Sequence, residues 1–239
     1  VSNLHRSRER KGWGSDVSRE QRRRVDHYRR AFDLVVSTTL ALVTLPVLLI
    51  ALTGSAISLR AWPIFSQERV GRDGQALRFV KVRTLPPTAP AYADKFQLDQ
   101  SSIPRFCRML RAFHLDELPQ LLLVVRGRMS LVGPRPEMRC LHDEMPAAFA
   151  QERTTVRPGC TGLWQISESC TGLIGSAPEY DRFYLQHRTL RLDTWVLVRT
   201  ALKMTNLSGR LTLDAVPAWA LPGRARDESV VTLPAGAGR

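Results

Sequence analysis

The sequence predicts an α/β (α+β) chain with a membrane-seated N-terminal helical segment and a mostly helical domain carrying a short β-hairpin. Three stretches predict it. Leu34 to Leu59 contains no charged residue and is long enough to enter a bilayer. Trp62 to Leu85 reads as two short strands around Gly71-Arg72-Asp73-Gly74, whose Asp-Gly pair is a hairpin signal. Leu115-Asp116-Glu117-Leu118-Pro119-Gln120-Leu121 reads as an acidic helix start, followed by an apolar run that Gly127 ends.

Taken in order, residues 1–29 are a basic extension and are expected to be flexible. No small-residue cleavage site follows the apolar run, so it does not read as a secretory signal. Arg29 and Arg30 precede the run and are expected to meet lipid phosphates. Residues 30–60 form the membrane segment. Pro46 stands near its middle, where a helix would bend, with Thr44 and Thr53 placed to satisfy freed backbone groups. Both flanks are basic, with Arg29 and Arg30 before and Arg60, Arg69 and Arg72 after. The positive-inside rule draws both ends to one side. A plain span and a helix that enters, bends and returns both remain open on these grounds. A helix of a soluble protein is the weaker reading, because the segment lacks the polar face a surface helix needs.

The hairpin follows, with Lys81 and Arg83 as spaced cations on its second strand. Pro86 to Pro104 reads as a loop, and Arg105 to Arg111 as a short basic helix. In the acidic segment Asp116 is expected to cap the helix, and Pro119 fits its first turn. An ionised Asp can attack phosphorus and a neighbouring Glu can hold a divalent cation. The plainer reading is that the pair complements the helix dipole. Gly133-Pro134-Arg135-Pro136 holds Arg135 in a rigid loop suited to a phosphate. Arg139 to Gln151 is expected to be one surface helix. Trp164 reads equally as core or as a stacking surface for substrate. Tyr180 to Tyr184 and Leu192 to Leu202 read as helices, and the chain after Met204 as a flexible tail, residues 205–239.

The net charge of +13 calls for an anionic partner: nucleic acid, anionic lipid or sugar nucleotide. No helix-turn-helix, zinc-ligand or aromatic RNA-binding pattern is present, so no nucleic acid is expected. Cys107, Cys140, Cys160 and Cys170 are widely spaced and read as free thiols.

The stretch Leu115 to Leu121, with Gly127-Arg128-Met129-Ser130-Leu131-Val132-Gly133-Pro134-Arg135-Pro136, resembles the signature of the bacterial sugar transferases, the monotopic polyprenyl-phosphate phosphoglycosyl transferases. Their pattern is S-L-D-E-L-P-Q-L, then G-D-M-S-x-V-G-P-R-P. Further matches are Arg30-Ala31-Phe32-Asp33 and the mid-helix Pro46. Others are Pro63, Phe65, Gln67, Arg69, Gly71 and Gly74, then Lys81, Arg83, Thr84 and Arg111. Arg157-Pro158-Gly159, Thr161-Gly162 and Gln165 complete the set, and the similarity runs from Arg30 to near Met204. The resemblance implies a re-entrant helix over 30–60, broken at Pro46, and a catalytic domain over 61–204 on the cytoplasmic face of the bacterial plasma membrane. It also implies transfer of a sugar-1-phosphate from a UDP-sugar to undecaprenyl (polyprenyl) phosphate. That step initiates exopolysaccharide, capsule, O-antigen or glycoprotein glycan assembly.

In the roles so implied, Asp116 is the nucleophile, forming a sugar-phosphoryl aspartate, and Glu117 holds Mg²⁺. Lys81, Arg83, Arg111, Arg135, Arg157 and Gln165 bind substrate. Membrane lipids are a further partner. The chain departs from the pattern at His114 for Ser, Leu123 for Asn, Arg128 for Asp, and Ser167-Glu168-Ser169 for S-G-R. Arg128 is expected close to the site. Two other classes remain to weigh: a catalytically degenerate membrane scaffold of the same fold, motivated by Arg128, Leu123 and Ser167-Glu168-Ser169, and a basic nucleic-acid-binding module, motivated by the net charge.

Overall fold

The computed structural model describes residues 19–89, 102–205, 207 and 209–222, with side chains from Asp26 onward. Helix and strand mix as expected, with helix dominant. Much of the expected Pro86–Pro104 loop, residues 90–101, lies outside the described residues.

Helix α1 runs over Arg19–Leu59 with Pro46 inside it. It therefore starts well before residue 30, and residues 19–29 are helical rather than a flexible extension. The cause is tertiary. Arg188 pairs with Asp26 (3.4 Å), and the Arg29 guanidinium donates to Asp193 (2.7 Å) and to the Tyr184 hydroxyl. Arg30 donates to the carbonyls of Val124 (2.6 Å) and Val125 (2.8 Å). Arg29 and Arg30, expected to meet lipid phosphates, thus spend these hydrogen bonds on protein groups. Asp26–Leu59 is long and apolar enough to cross a membrane. Its central residues, Leu40, Leu42, Val43, Leu45, Val47, Leu49 and Ile50, are exposed. An uncovered apolar band of that length marks a lipid-facing surface.

Strands β1 (Ile64–Val70) and β2 (Ala76–Val82) form an antiparallel hairpin in which Ile64 faces Val82 and Val70 faces Ala76. The turn between them puts Asp73 (φ 54°) and Gly74 (φ 73°) in the left-handed region, as an Asp-Gly pair allows. Helix α2 (Arg105–Ala112) precedes a single 3-10 turn over Leu115–Glu117, then helix α3 (Gln120–Val125). Gly127, at φ 73°, ends α3 as expected.

Strand β3 (Ser130–Val132) pairs in parallel with β4 (Gly159–Thr161). Parallel strands need a crossover, and here it carries two helices, α4 (Arg139–Asp143) and α5 (Ala147–Thr154). The single surface helix expected over 139–151 is divided because Pro146 cannot continue α4. Helices α6 (Leu163–Ile166), α7 (Pro178–His187) and α8 (Leu190–Met204) follow.

The main core joins Phe79 of β2, Leu131 and Val132 of β3, Phe149, Leu163, Tyr184 and Leu192. A second cluster seats Ala51 of α1 against Val82 and Leu110. Leu211, Val216 and Ala220 are buried in the main core, and the Thr189 hydroxyl donates to the Ala220 carbonyl (2.8 Å). The tail expected to be flexible from residue 205 is therefore packed over 209–222. Apolar side chains among the Gly, Pro and Ala of that stretch are enough to dock it.

Candidate active site

The acid pair sits on the turn between α2 and α3. His114 enters that turn in the left-handed region (φ 54°), which swings the following residues across the end of α2. The N-cap of α3 is Pro119, and no side chain caps it. Asp116 is thus not the cap expected from the sequence; its carboxylate is left to the cleft beside it, where it is 6% exposed. Leu115, one residue earlier, packs on the apolar cluster around Ala51 of α1. The acid pair is therefore tied to the membrane helix through its neighbour.

The cleft holds about 530 Å³ and is walled by the hairpin, the end of α2, the Gly133–Pro136 loop, α6 and α8. Period-2 alternation puts Phe65, Gln67 and Arg69 of β1 on the same face as Lys81 of β2. Arg83 donates to the Trp62 carbonyl (2.9 Å), and Arg111 to the Thr84 hydroxyl (3.3 Å). Arg135 lies 3.6 Å from Glu117. Asp116, Glu117, Lys81, Arg83, Arg111, Arg135 and Gln165 all line this one cleft.

The surroundings set these charges apart. Burial and the neighbouring Glu117 carboxylate push the Asp116 pKa above the ordinary carboxylate value, against the pull of Lys81, Arg111 and His114. Burial also pushes Glu117 upward, but Arg135, His114, Lys81 and Arg69 outweigh it and hold Glu117 below the ordinary value. Burial lowers Lys81 despite the two carboxylates. Burial and the nearby Arg135 bring Arg69 down to about 10. At neutral pH the pair presents a firmly ionised Glu117 beside a more basic Asp116 oxygen.

Two polar atoms on the far wall, Trp164 Nε1 and Gln165 Oε1, are buried with no hydrogen-bond partner. Such a group costs about 1–3 kcal/mol when left unpaired. One is a donor and the other an acceptor, so together they suit a ligand bearing hydroxyl or amide groups. Trp164 belongs to the core and also lines the cleft. Lys203 of α8 reaches the same wall and donates to the Gln165 carbonyl (2.6 Å).

The loop carrying Arg135 is fixed from behind. Buried Arg153 donates to the Arg135 carbonyl (2.7 Å) and to Asp181 (2.8 Å). Arg69 donates to the Pro136 carbonyl (2.7 Å) and stacks on Phe79, its guanidinium 4.4 Å from the ring centre. The Gly133 N–H donates to the Thr161 carbonyl (2.9 Å). Arg153, Asp181 and Lys203 were given no site role from the sequence, and Arg69 was read only as a basic flank and a matched position. Only Arg69 carried a usable signal, its strand parity with Lys81.

Arg157 is placed elsewhere. It donates to the Gly127 carbonyl (2.9 Å) and lines cavities that share no residue with the cleft. Arg30 and Asp33, matched in the family's membrane-helix pattern, form a latch between α1 and the rest of the chain. Asp33 accepts from the Ser130 hydroxyl (2.7 Å) and the Leu131 N–H (3.1 Å), while Arg30 closes the end of α3. Arg128 is exposed, bonds the Ala76 carbonyl (3.0 Å) and stays out of the cleft, contrary to its expected closeness. Leu123 fills the core. Ser167 is buried and accepts from the Ser169 N–H (3.2 Å), capping a local turn.

Comparison with known proteins bears on this arrangement. The chain is 35% identical over 190 residues to a UDP-glucose:undecaprenyl-phosphate glucose-1-phosphate transferase of Caulobacter vibrioides, covering 74% of this chain and 69% of that protein. It is 35% identical over 188 residues to a UDP-galactose-lipid carrier transferase of Erwinia amylovora, covering 72% of this chain and 39% of that longer protein. It is 31% identical over 191 residues to the exopolysaccharide production protein ExoY of Sinorhizobium fredii, covering 72% and 83%. The family model described as bacterial sugar transferase matches residues 24–206, a span that takes in α1, the cleft and α8, and the chain belongs to that family.

Proposed function

We propose that this chain is an undecaprenyl-phosphate sugar phosphotransferase. It moves a sugar-1-phosphate from a UDP-sugar to undecaprenyl phosphate and so begins a bacterial exopolysaccharide. The observation that carries the reading is the Asp116–Glu117 pair, buried in a cleft ringed by Lys81, Arg83, Arg111, Arg135 and Arg69. Cations suited to a diphosphate surround one carboxylate that is ionised and one that is more basic. The named activities of the Caulobacter and Erwinia relatives support it.

In the proposed reaction an Asp116 carboxylate oxygen attacks the sugar-bearing phosphorus. The bond to the UMP oxygen breaks, UMP leaves with that electron pair, and a sugar-phosphoryl aspartate remains. An oxygen of undecaprenyl phosphate then attacks the same phosphorus. The acyl-phosphate bond breaks, the Asp116 carboxylate is restored, and undecaprenyl diphosphate sugar departs. The guanidinium groups hold the phosphates in line and offset the charge that spreads over their oxygens. The unpaired Trp164 Nε1 and Gln165 Oε1 support a role for this wall in taking up the sugar or the uracil.

A magnesium ion fits the donor set. Magnesium favours one or two carboxylates together with substrate phosphates. Glu117 offers an ionised carboxylate whose ion pair with Arg135 is long, 3.6 Å. When bound, the ion would neutralise charge on the donor diphosphate.

The re-entrant reading of α1 rests on where its two ends pack. Asp33 binds β3, and the Ser55 hydroxyl donates to the Arg83 carbonyl just past β2. Both strands belong to one body, so both ends of the apolar segment belong on one side of the membrane, here the cytoplasmic face. Against the scaffold alternative, none of its motives, Arg128, Leu123 and Ser167-Glu168-Ser169, lines the cleft, while Asp116, Glu117 and Arg135 do.

The test is intact-protein mass spectrometry with a panel of UDP-sugars and Mg²⁺, without lipid acceptor. One donor should leave a sugar-phosphate adduct on Asp116 that discharges when undecaprenyl phosphate is added. Asp116→Asn should form no adduct and lose turnover. Robust turnover by Asp116→Asn would overturn the assignment. Turnover by the unmodified chain with no adduct under rapid quench would point to direct transfer.

A further inference from the structure

A second basic concavity lies away from the catalytic cleft, and nothing in the proposed reaction uses it. Two adjoining cavities, about 210 and 220 Å³, share Arg72 and Arg157. Arg30 lines one and Arg128 the other. The first also lies beside Arg29 and Arg188, at the N-terminal edge of the apolar segment of α1. Neither cavity shares a residue with the cleft.

The charge balance of these walls is uneven. Arg29 is matched by Asp193, and Arg188 by Asp26. Arg72 touches Asp73 at 3.3 Å, but both side chains are more than half exposed, and such a pair is weak. Arg30, Arg128 and Arg157 spend hydrogen bonds on the neutral carbonyls of Val124, Val125, Ala76 and Gly127. Among the described residues, no carboxylate forms an ion pair with these three. Burial, together with the closeness of Arg30 and Arg72, lowers the pKa of Arg157 and outweighs the pull of Asp33 and Asp26, which also line the first cavity. The guanidinium groups of the two cavities outnumber the carboxylates Asp26, Asp33 and Asp73 beside them and repel one another, and each keeps unused donors in a planar fork. An anion with several acceptor oxygens answers both conditions.

We propose that this concavity binds a phosphate group, gripped by Arg72, Arg128 and Arg157 with Arg30 at its edge. The phosphate is that of an anionic phospholipid headgroup or a free phosphate ion. A headgroup would pin the N-terminal end of the apolar segment to the membrane surface. A free ion would cross-link the hairpin turn to the loop after α3. Arg128 is the residue specific to this chain in that grip: the family pattern has an aspartate there, which would repel the ligand.

The test uses the full chain in phosphatidylcholine nanodiscs. Inorganic phosphate is titrated by calorimetry, and phosphatidylglycerol retention is read by native mass spectrometry. The double variant Arg72→Gln, Arg128→Gln should lose roughly tenfold or more in affinity for at least one probe, as expected for removal of charge-assisted bonds. UMP binding in the cleft should be retained, which reports an intact fold. The cleft variant Lys81→Met should keep the lost interaction. Loss of phosphate alone identifies a free ion, and loss of phosphatidylglycerol retention identifies a headgroup. If the double variant binds both probes as the unmodified chain does, or if Lys81→Met abolishes the same binding, the site does not exist. Both substituted side chains are exposed. Should the double variant nonetheless fail to bind UMP, Arg128→Gln alone decides by the same readouts.

Discussion

Among the cations facing Asp116, Lys81 pulls its pKa down most, ahead of Arg111 and His114. Burial and Glu117 work the other way. As the proposed nucleophile Asp116 must be ionised to attack, so the rate should fall as pH drops through its pKa. Lys81→Met removes the strongest opposing charge. The acidic limb of kcat/KM against pH should therefore move upward, and Lys81→Arg should move it back. An unmoved limb in Lys81→Met would mean that Asp116 is not the group titrating. Behind the cleft, Arg153 is buried and pairs with buried Asp181. Burial already raises Asp181, with Arg153 drawing it down. Arg153→Met leaves a buried carboxylate alone and should cost about 3–5 kcal/mol. Its folded-state pKa would then lie further above the unfolded value. The deficit should therefore be smallest at low pH and grow as pH rises through that value, as thermal unfolding at several pH values will show. Asp116 also marks where reading from sequence was ambiguous. An Asp at a helix start serves equally as a cap or a reactive group, and only its position on the turn before Pro119 separates the two.

At the scale of elements, the two longest motif blocks cross backbone to backbone. A Cβ added at Gly159 would lie 2.1 Å from the Gly133 nitrogen, and one at Gly162 would lie 2.3 Å from the Gly133 carbonyl oxygen. Around Gly159 the three nearest atoms are all backbone, so no flexible side chain stands there to yield. Gly159→Ala must therefore separate β3 from β4, and with them the loop that carries Arg135. It should cost several-fold more stability than Gly74→Ala, where nothing lies within 4 Å and only the left-handed φ is strained. Denaturation of the two variants side by side checks this. The hairpin and the Gly127 stop were legible because period-2 alternation and turn chemistry are local signals, whereas the cleft cations were picked out by resemblance to the family pattern. Arg157 was not legible as lying outside the cleft. It resembles Arg135 in preceding a proline, yet which side of β4 it occupies is decided by the parallel pairing with β3, which no local pattern encodes. The break between α4 and α5 was readable from Pro146. The docked segment 209–222 was not, since its burial depends on a surface built by distant residues.

For the whole molecule, the question is what α1 does between its two anchors. Asp33 and Ser55 are 22 positions apart in the sequence. A straight helix would set them about 33 Å apart, close to the thickness of the hydrocarbon layer, about 30 Å. A spanning helix would therefore put them on opposite faces. Yet Asp33 holds Ser130 and Leu131, and Ser55 holds the Arg83 carbonyl, within a body that β2 unites by placing Phe79 in the main core and Val82 against Ala51. Spanning would tear one anchor away and leave either Asp33 or the Arg83 carbonyl without its partner. Re-entry keeps both and leaves the exposed band from Leu40 to Ile50 for lipid. Tyr28 and Trp62 flank the segment and are 66% and 71% exposed. With Cys107, Cys140, Cys160 and Cys170 replaced by serine, Tyr28→Cys and Trp62→Cys should be labelled from the same side by a membrane-impermeant maleimide. In right-side-out vesicles, neither should react until the membrane is opened. Pro46→Leu would restore an N–H able to bond the Leu42 carbonyl and so favour a straight helix. The two anchors oppose that change, so the variant should shift topology only when combined with Asp33→Ala, which frees the N-terminal anchor. Labelling of positions 28 and 62 from opposite sides in the unmodified background would reject re-entry, whatever the proline variant does.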